Sequence, residues 1–552
     1  CNILDATKTN RRTAVFPKLT IASLLTALLF IPEQTRVAVA DLSASEGQAA
    51  MKKAVSFFRE KVSASGGYLW QYSGDLSERE GERQASATQV WTQPPGTPYV
   101  GEALLEAFLV SHEDYLLEAA RDAGHALAKG QLVSGGWDYQ IEFDPKERSR
   151  WAYRVDQKPA GRPLSAAEER AQRKARNVTT LDDDTTQAAL RFLMKLDFVL
   201  KQKDKLIHES VEYALEALLK AQYPNGAWPQ RYSEFPNPKD YPVKKASYPE
   251  SWPKEYPKED YRSFYTFNDN TLADLIDTMF LAEQLYDDAR YGVSARKAGD
   301  FILLAQMPEP QPAWAQQYNA KMHPAWARRF EPTAVTGGES QGVIRVLLTL
   351  HRHTHDDKYL FSIGKALDYL EKSKLPNGQL ARFYELKTNR PLYFTKDYVL
   401  TYDDSDMPTH YGFKVGSNLN RLRADYETAL KAPPGGGRVW TTLRSPPKPN
   451  ASLNQDASEL VAALDSRGAW LETGELKTDG DDDRERRIIT TRTFATNLRT
   501  LSRFVGSMKR WRTTVPQMVI LKWYAGASLD MPYSFPNNSN SSPHELPEWS
   551  PR

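Results

Sequence analysis

Asp182-Asp183-Asp184 forms a run of three carboxylates immediately before a strongly helical stretch. One or two of them suit a helix N-terminus, where the positive end of the helix favours acidic side chains and Asp caps well. Three together repel one another unless a cation is present, and an all-oxygen set suits a hard ion such as Ca²⁺. A second acidic site, Asn268-Asp269-Asn270, stands in the same place before a later helix, and capping is again the simpler account of either Asn268 or Asp269. The third element is basic. Arg328 and Arg329 sit among aromatic residues, Arg382 lies in Arg-Phe-Tyr384-Glu, and Arg390 and Lys396 follow. Any one Arg beside a Glu is usually just paired, but several arginines at loop positions match the planar geometry of a carboxylate.

Together, Asp182, Asp183 and Asp269 with Arg328 and Arg382 describe a site that holds a polycarboxylate through calcium and arginine. Uronate polymers have that chemistry. Cleaving them by elimination requires removal of the weakly acidic C5 proton, with positive charge on the adjacent carboxylate to stabilise the developing enolate. A base must then collect the proton within hydrogen-bond reach.

The elements that must position these residues are helices. Ala189, Phe192, Leu196 and Val199 keep helical spacing, and similar patterns run through 97–112, 116–130, 206–221, 271–286, 291–305, 339–353 and 357–374. A recurring unit punctuates them: Gln131-Leu-Val-Ser-Gly135-Gly-Trp137, Gln222-Tyr-Pro-Asn-Gly226-Ala-Trp228, and a degenerate copy from Gln306 to Trp314. The glutamines lie 91 and 84 residues apart, the length of a helical hairpin with its loops. A fourth helix ends at Lys374-Leu-Pro-Asn-Gly378, and Arg467-Gly-Ala-Trp470 closes an amphipathic segment at 457–470. Glycine in a left-handed conformation ends a helix, and the Trp then covers its end. The predicted fold is all-α, an (α/α) toroid or barrel of helical hairpins with long functional loops and few short strands. Function is expected at the post-helix loops.

Residues 1–40 read as an export signal. Lys8, Arg11, Arg12 and Lys18 precede the apolar run from Leu19 to Ile31, and Ala38-Val39-Ala40 offers a cleavage site. That segment carries a net charge of +3, so its removal takes the whole-chain +2 to −1 and discards the single cysteine, Cys1. A near-neutral chain gives no electrostatic case for nucleic acid or an anionic membrane. The apolar run is too short for a stable membrane span. The expected location is secreted or periplasmic, the expected state a monomer. The toroid is expected over 41–430, a Pro/Gly-rich linker or excursion over 431–456, a helical part packing on the toroid over 457–530, and a disordered tail over 531–552. The Pro- and Tyr-rich stretch 233–261 breaks the helical rhythm as a long functional or disordered insertion.

Thirteen Trp and 27 Tyr are many for such a polar chain; most fill cores, while some suit sugar stacking. At Gly226-Ala-Trp-Pro-Gln-Arg-Tyr232, Thr266-Phe-Asn-Asp-Asn270, Pro324-Ala-Trp-Ala-Arg-Arg-Phe-Glu-Pro332, Gly337-Gly-Glu-Ser340 and Ala381-Arg-Phe-Tyr-Glu-x-x-Thr-Asn-Arg-Pro391, the chain resembles the pectate lyases of polysaccharide lyase family 10. Thr180-Leu-Asp-Asp-Asp-Thr-Thr186 is similar to the family's Thr-x-Asp-Asn-Gly-Ala-Thr. The resemblance spans roughly residues 50–400. It implies an (α/α)-type toroid and calcium-dependent elimination of polygalacturonate (pectate) with an arginine as base. Carried over by motif, Asp182 and Asp269 would be calcium-associated, with Asp183 where the family has Asn. Arg328 and Arg382 would contact substrate carboxylates, beside Trp228, Asn268 and Tyr384 as further substrate contacts. The family pattern places the base arginine six residues after the Thr-Asn-Arg-Pro arginine; here that residue is Lys396. Arg328, Arg382, Arg390 and Lys396 therefore stand as candidate bases.

Other readings stay open: a lyase for a different uronate polymer, a non-catalytic uronan-binding protein, or a glycoside hydrolase on the same toroid. A triterpene-cyclase-like protein shares the Gln-x-x-x-Gly-x-Trp repeat but would need an Asp-x-Asp-Asp acid motif, which is not evident here.

Overall fold

The computed structural model describes residues 42–157, 165, 170, 173–431, 447–476 and 486–509. The expected export signal (1–40) and tail (531–552) lie outside them.

Helical spacing becomes helical hairpins. Helices α1 (Ala44–Phe57), α2 (Thr97–Ser111), α3 (Asp114–Lys129), α4 (Thr185–Val199), α5 (Lys205–Ala221) and α6 (Thr271–Tyr286) are followed by α7 (Ala289–Ala305), α8 (Gly338–Thr354) and α9 (Lys358–Lys372). Then come α10 (Leu419–Lys431), α11 (Ala451–Ala462) and α12 (Thr491–Met508). Consecutive helices pair as α2/α3, α4/α5, α6/α7, α8/α9 and α11/α12, while α12, α2, α4 and α6 pack in succession. Helix α8 joins α6 through Phe280, whose ring stacks on His353 at 4.8 Å. This is the all-α toroid of hairpins expected from the sequence, with only short strands between helices among the described residues.

Of the expected excursion at 431–456, residues 432–446 lie outside the described set, and residues 451–456 already form the start of α11. Capping explains that boundary: the Asn450 side chain accepts from the Leu453 N–H and starts the helix. The C-terminal helix α12 packs directly on α2 and α1, and strand Arg486–Thr490 pairs antiparallel with Gln71–Ser73.

The repeated unit has a physical basis. Each Trp donates its indole N–H to a carbonyl in the last turn of the preceding helix: Trp137 to Leu127, Trp228 to Leu218, Trp314 to Ile302 and Trp470 to Leu460, all at 2.8 Å. Carbonyls at a helix end lack intrahelical partners, so each indole supplies one. Glutamine amides tie the first three of these turns to the next hairpin. Gln131 donates to the Gly135 and Ser210 carbonyls, Gln222 to those of Gly226 and Ser294, and Gln306 to those of Pro312 and Ser362. Gly226 shows why glycine is required: its φ is +99°, and a Cβ there would meet the Lys297 carbonyl oxygen at 2.0 Å.

Most apolar side chains form one core that runs through all the hairpins. A smaller cluster of Trp326, Phe383, Phe394 and Phe413 underlies an antiparallel sheet of strands 334–336, 383–385, 391–394 and 400–401. The 233–261 insertion is laid along the body, the Ala246 N–H bonding the Leu304 carbonyl and the Ser247 N–H that of Met322.

Candidate active site

Two copies of one local device build the acidic centre. Strand Thr179–Thr180 runs into Leu181 and a tight turn at Asp182–Asp184 before α4; strand Tyr265–Thr266 runs into Phe267 and a turn at Asn268–Asn270 before α6. In each turn the second and third residues are left-handed: Asp183 and Asp184 at φ +52° and +56°, Asp269 and Asn270 at +46° and +58°. Only Gly takes this conformation freely, with Asp and Asn next, so the residue types fit the backbone. Such strained positions gather at functional sites.

The neighbouring hairpins bring the two turns together. One carboxylate oxygen each from Asp182, Asp183 and Asp269 lies within 4.8 Å of the others. Strand pairing of Thr180 with Arg231 sets a guanidinium beside Asp182, with Nη2 3.2 Å from Oδ2. The Tyr139 hydroxyl faces both first-turn acids, 3.3 Å from Asp182 Oδ2 and 3.1 Å from Asp183 Oδ2, and accepts from Arg231. On the other side the Asn268 amide donates to Asp269 at 2.6 Å and its carbonyl accepts from Gln316 at 2.6 Å.

This centre is short of positive charge. Burial, then the carboxylates of Asp182 and Glu82, push Asp183 up to about 7 against the pull of the Tyr139 hydroxyl. Burial, then Asp182 and Asp183, raise Asp269 well above the usual carboxylate range despite Arg328. Asp182 Oδ1 is buried with no hydrogen-bond partner. Oxygen donors that converge, repel and leave a lone pair unused fit a hard divalent cation such as Ca²⁺.

Arg328 and Arg382 flank the acids. Arg328 Nη2 lies 2.6 Å from Glu331 and 3.8 Å from Asp269. Arg382 donates to Glu339 at 2.9 Å and to the Gly412 carbonyl at 2.7 Å. Both guanidinia lie over the Tyr411 ring, 5.9 and 4.6 Å from its centre. The Tyr411 hydroxyl donates to Glu331 at 3.2 Å and accepts from Arg382 at 3.3 Å. Although burial opposes their charge, the neighbouring Glu331 and Glu339 carboxylates raise Arg328 and Arg382 above the usual arginine value.

The remaining expectations divide. Asn268 is buried and orients Asp269 from beneath. Trp228 and Tyr384 are buried; each is 1% exposed. The Trp228 indole satisfies Leu218, and the Tyr384 hydroxyl donates to the Ser373 carbonyl at 2.6 Å, so both serve helix ends. Arg390 lies over the Tyr402 ring at 3.5 Å. The Lys396 side chain, 69% exposed, pairs with Asp406 at 3.5 Å, as its exposed turn dictates.

Sequence reasoning passed over Tyr139, Arg231, Gln316 and Tyr411. The first three carried a signal: each stands two or three residues after the Trp of a repeated unit, so the repeat delivers polar side chains to one mouth. Tyr411 had none, because its segment carries no motif.

Residues 131–376 match the family model described as pectic acid lyase, so the resemblance read from the motifs is found over that segment. Both acidic turns and Arg328 lie inside it; Arg382 and Tyr411 lie beyond. The match supports a uronan-degrading lyase. No curated protein matches the chain. Among solved structures, a family 10 polysaccharide lyase from Cellvibrio cellulosa is 19% identical, with a TM-score of 0.39, over 60% of this chain and 95% of that one. A mutant of a family 10 polysaccharide lyase from the same organism, in complex with trigalacturonic acid, gives 19% identity and a TM-score of 0.38 over 60% and 98%. A D-mannose isomerase gives 11% and 0.38 over 84% and 98%.

Proposed function

We propose that this chain is a pectate lyase that cleaves polygalacturonate by calcium-assisted β-elimination. One observation carries the reading: within a segment matching the pectic acid lyase family, three carboxylates converge with an arginine 3.8 Å from one of them. Asp182, Asp183 and Asp269 would hold the ion. Bound there, Ca²⁺ supplies positive charge to the substrate carboxylate and, by like-charge repulsion, weakens the site's hold on the Arg328 proton.

The chain's own residues do the rest. Arg382, fixed by Glu339 and Gly412, presents a cation to the uronate carboxylate, where negative charge grows as the C5 proton leaves. Arg328 is placed to take that proton. To accept it Arg328 must first give up its own proton to water. The C5–H bonding pair then becomes the C4–C5 double bond, the C4–O bond breaks, and water protonates the leaving oxygen as the shortened chain departs. Arg231 and Tyr139 hold Asp182 in place, Asn268 holds Asp269, and Tyr411 keeps the two site arginines apart and aligned. A secreted or periplasmic location belongs to the same reading and rests on residues 8–40. Among the described residues no helix is long and apolar enough to cross a membrane.

A second reading, a non-catalytic uronan-binding protein, is favoured by Lys396. The residue at the family's base position faces Asp406 and solvent rather than the acids. Incubation with polygalacturonate, with and without Ca²⁺, separates the two. Calcium-dependent growth of the absorbance of the unsaturated product is expected. Binding without that absorbance would support the second reading, and new reducing ends without unsaturation would replace both with a hydrolase.

A further inference from the structure

The 233–261 insertion does more than fill space. Its C-terminal end places Tyr261 in the electrostatic field of Arg328 and Arg231. From there it runs back past Tyr256, whose ring lies 6.3 Å from Trp326, to Lys254, whose ammonium pairs with Glu385. Beyond Lys254 it presents Trp252 and Tyr248. The hairpin between strands 383–385 and 391–394 rises to meet it, with Lys387 at the tip in a left-handed conformation, φ +67°.

The Lys387 ammonium lies 5.8 Å from the Tyr248 ring centre and 5.9 Å from that of Trp252. Lys254 lies 5.0 Å from the Trp252 ring, and Arg390 stacks on Tyr402, a residue left 42% exposed. Glu385, the carboxylate paired within this patch, is buried and takes hydrogen bonds from Lys254, Thr388 and Tyr402. Two cations on aromatic rims, a stacked arginine and a submerged acid make a surface with three cations among ring faces, and Glu309 is the exposed acid near Tyr248. Cations bind carboxylates, and ring faces pack on the C–H faces of sugars.

Resting on the lyase reading above, we propose that this patch is a distal subsite for the uronate chain, built jointly by the insertion and the 386–390 hairpin turn. Tyr261, beside the site arginines, stands seven positions after Lys254 in the insertion, and the subsite is assigned to the part of a long substrate beyond the sugars seated at the acids.

The test uses the full chain with Lys387→Glu and, separately, Trp252→Ala, assayed on polygalacturonate and on trigalacturonate, together with gel retardation by immobilised polygalacturonate. Each variant is expected to raise the half-saturating polymer concentration about three- to tenfold and weaken retardation alike, leaving trimer turnover unchanged. Equal losses on polymer and trimer, or no change on the polymer, would overturn the subsite. Should the wild-type chain show no lyase activity, retardation alone decides. Retardation lost in the variants upholds the subsite while the catalytic reading falls; retardation that is absent in the wild type or unchanged in the variants removes the subsite. Circular dichroism of Trp252→Ala guards against misfolding, and Lys387→Glu, at an exposed tip, carries the decision if that variant fails to fold.

Discussion

Arg191 grips both oxygens of Asp184, with Nη2 at 2.7 and 2.6 Å, while its Nη1 donates to the Asp274 carbonyl at 3.3 Å and to the Thr278 hydroxyl at 3.1 Å. Asp184 closes the first acidic turn and Asp274 lies in the first turn of α6, so one guanidinium fastens together the two helices whose N-termini carry the acidic centre. Asp274 and Asp277 stand close enough to Arg191 that burial, opposed by its charge, leaves both raised above ordinary carboxylates.

Removing that guanidinium leaves half-buried acids without their partner. Arg191→Met should cost about 1–3 kcal/mol in denaturant unfolding, the range for leaving a hydrogen-bonded polar group unsatisfied. Arg191→Lys should restore part of the stability but not the spacing of the turns, so its calcium affinity, read by calorimetry, should stay below wild type. Full recovery of affinity with lysine would show that charge alone, not the fork, sets the turns.

Protons and calcium should both relieve the acidic centre. Asp183 is raised to about 7, from a usual value near 3.8. A carboxylate raised on folding contributes stability that is complete below its unfolded value and is lost as pH climbs through the folded one. In chelator, unfolding free energy should therefore decline between about pH 4 and pH 7, and Asp183→Asn should flatten that decline. Added Ca²⁺ should raise the melting temperature of the wild type at pH 7 much more than that of the variant. A wild-type melting temperature insensitive to both pH and calcium in this window would remove the cation site.

Trp228 offers a clean separation of packing from binding. Trp228→Phe deletes the indole N–H that satisfies the Leu218 carbonyl and should cost about 1–3 kcal/mol of stability. The KM for polygalacturonate should not move, since the side chain is buried. A raised KM at unchanged stability would return Trp228 to the substrate.

How far the sequence reached can be seen in the same residues. The helical period and the Gln…Gly-x-Trp unit placed the hairpins within a residue or two at most ends, because amphipathic spacing and glycine punctuation are local signals. The run Asp182–Asp184 stood out because three acids at one helix start conflict with local electrostatics and need an outside reason, and Asp269 because it holds the same place before a later helix. Trp228 and Tyr384 lie buried against helix ends, which their motifs could not reveal, because a motif does not distinguish a ring that stacks on sugar from one that closes a helix end. Arg231 and Gln316 escaped because their role depends on strand pairs two residues long, Thr179–Thr180 with Arg231–Tyr232 and Tyr265–Thr266 with Gln317–Tyr318. No period-two pattern can be read from two residues.

Among the candidate bases, geometry separates Arg328 from Lys396. Lys396→Ala should keep activity within about twofold, because the lysine faces Asp406 and solvent. Arg328→Lys should lower kcat about 10²- to 10³-fold, since an ammonium lacks the planar fork that Glu331 and Asp269 orient. Stopped assays of unsaturated product for both variants decide the point; the reverse pattern would move the base to Lys396.

Tyr411 joins the two arginines, and its variant reports on their alignment. Its hydroxyl accepts from Arg382 and donates to Glu331, which in turn holds Arg328, so a single oxygen couples both cations. Tyr411→Phe keeps the ring on which the guanidinia lie and removes only that oxygen. Arg382 retains Glu339 and Gly412 as partners, so substrate binding should be little changed. Glu331 loses one of its donors and holds Arg328 less squarely over the reacting carbon. The expected result is a kcat lowered by about 10- to 100-fold with KM nearly constant, the mark of an interaction realised in the transition state. A rise in KM at constant kcat would show instead that Tyr411 shapes the ground-state grip of Arg382 on the carboxylate.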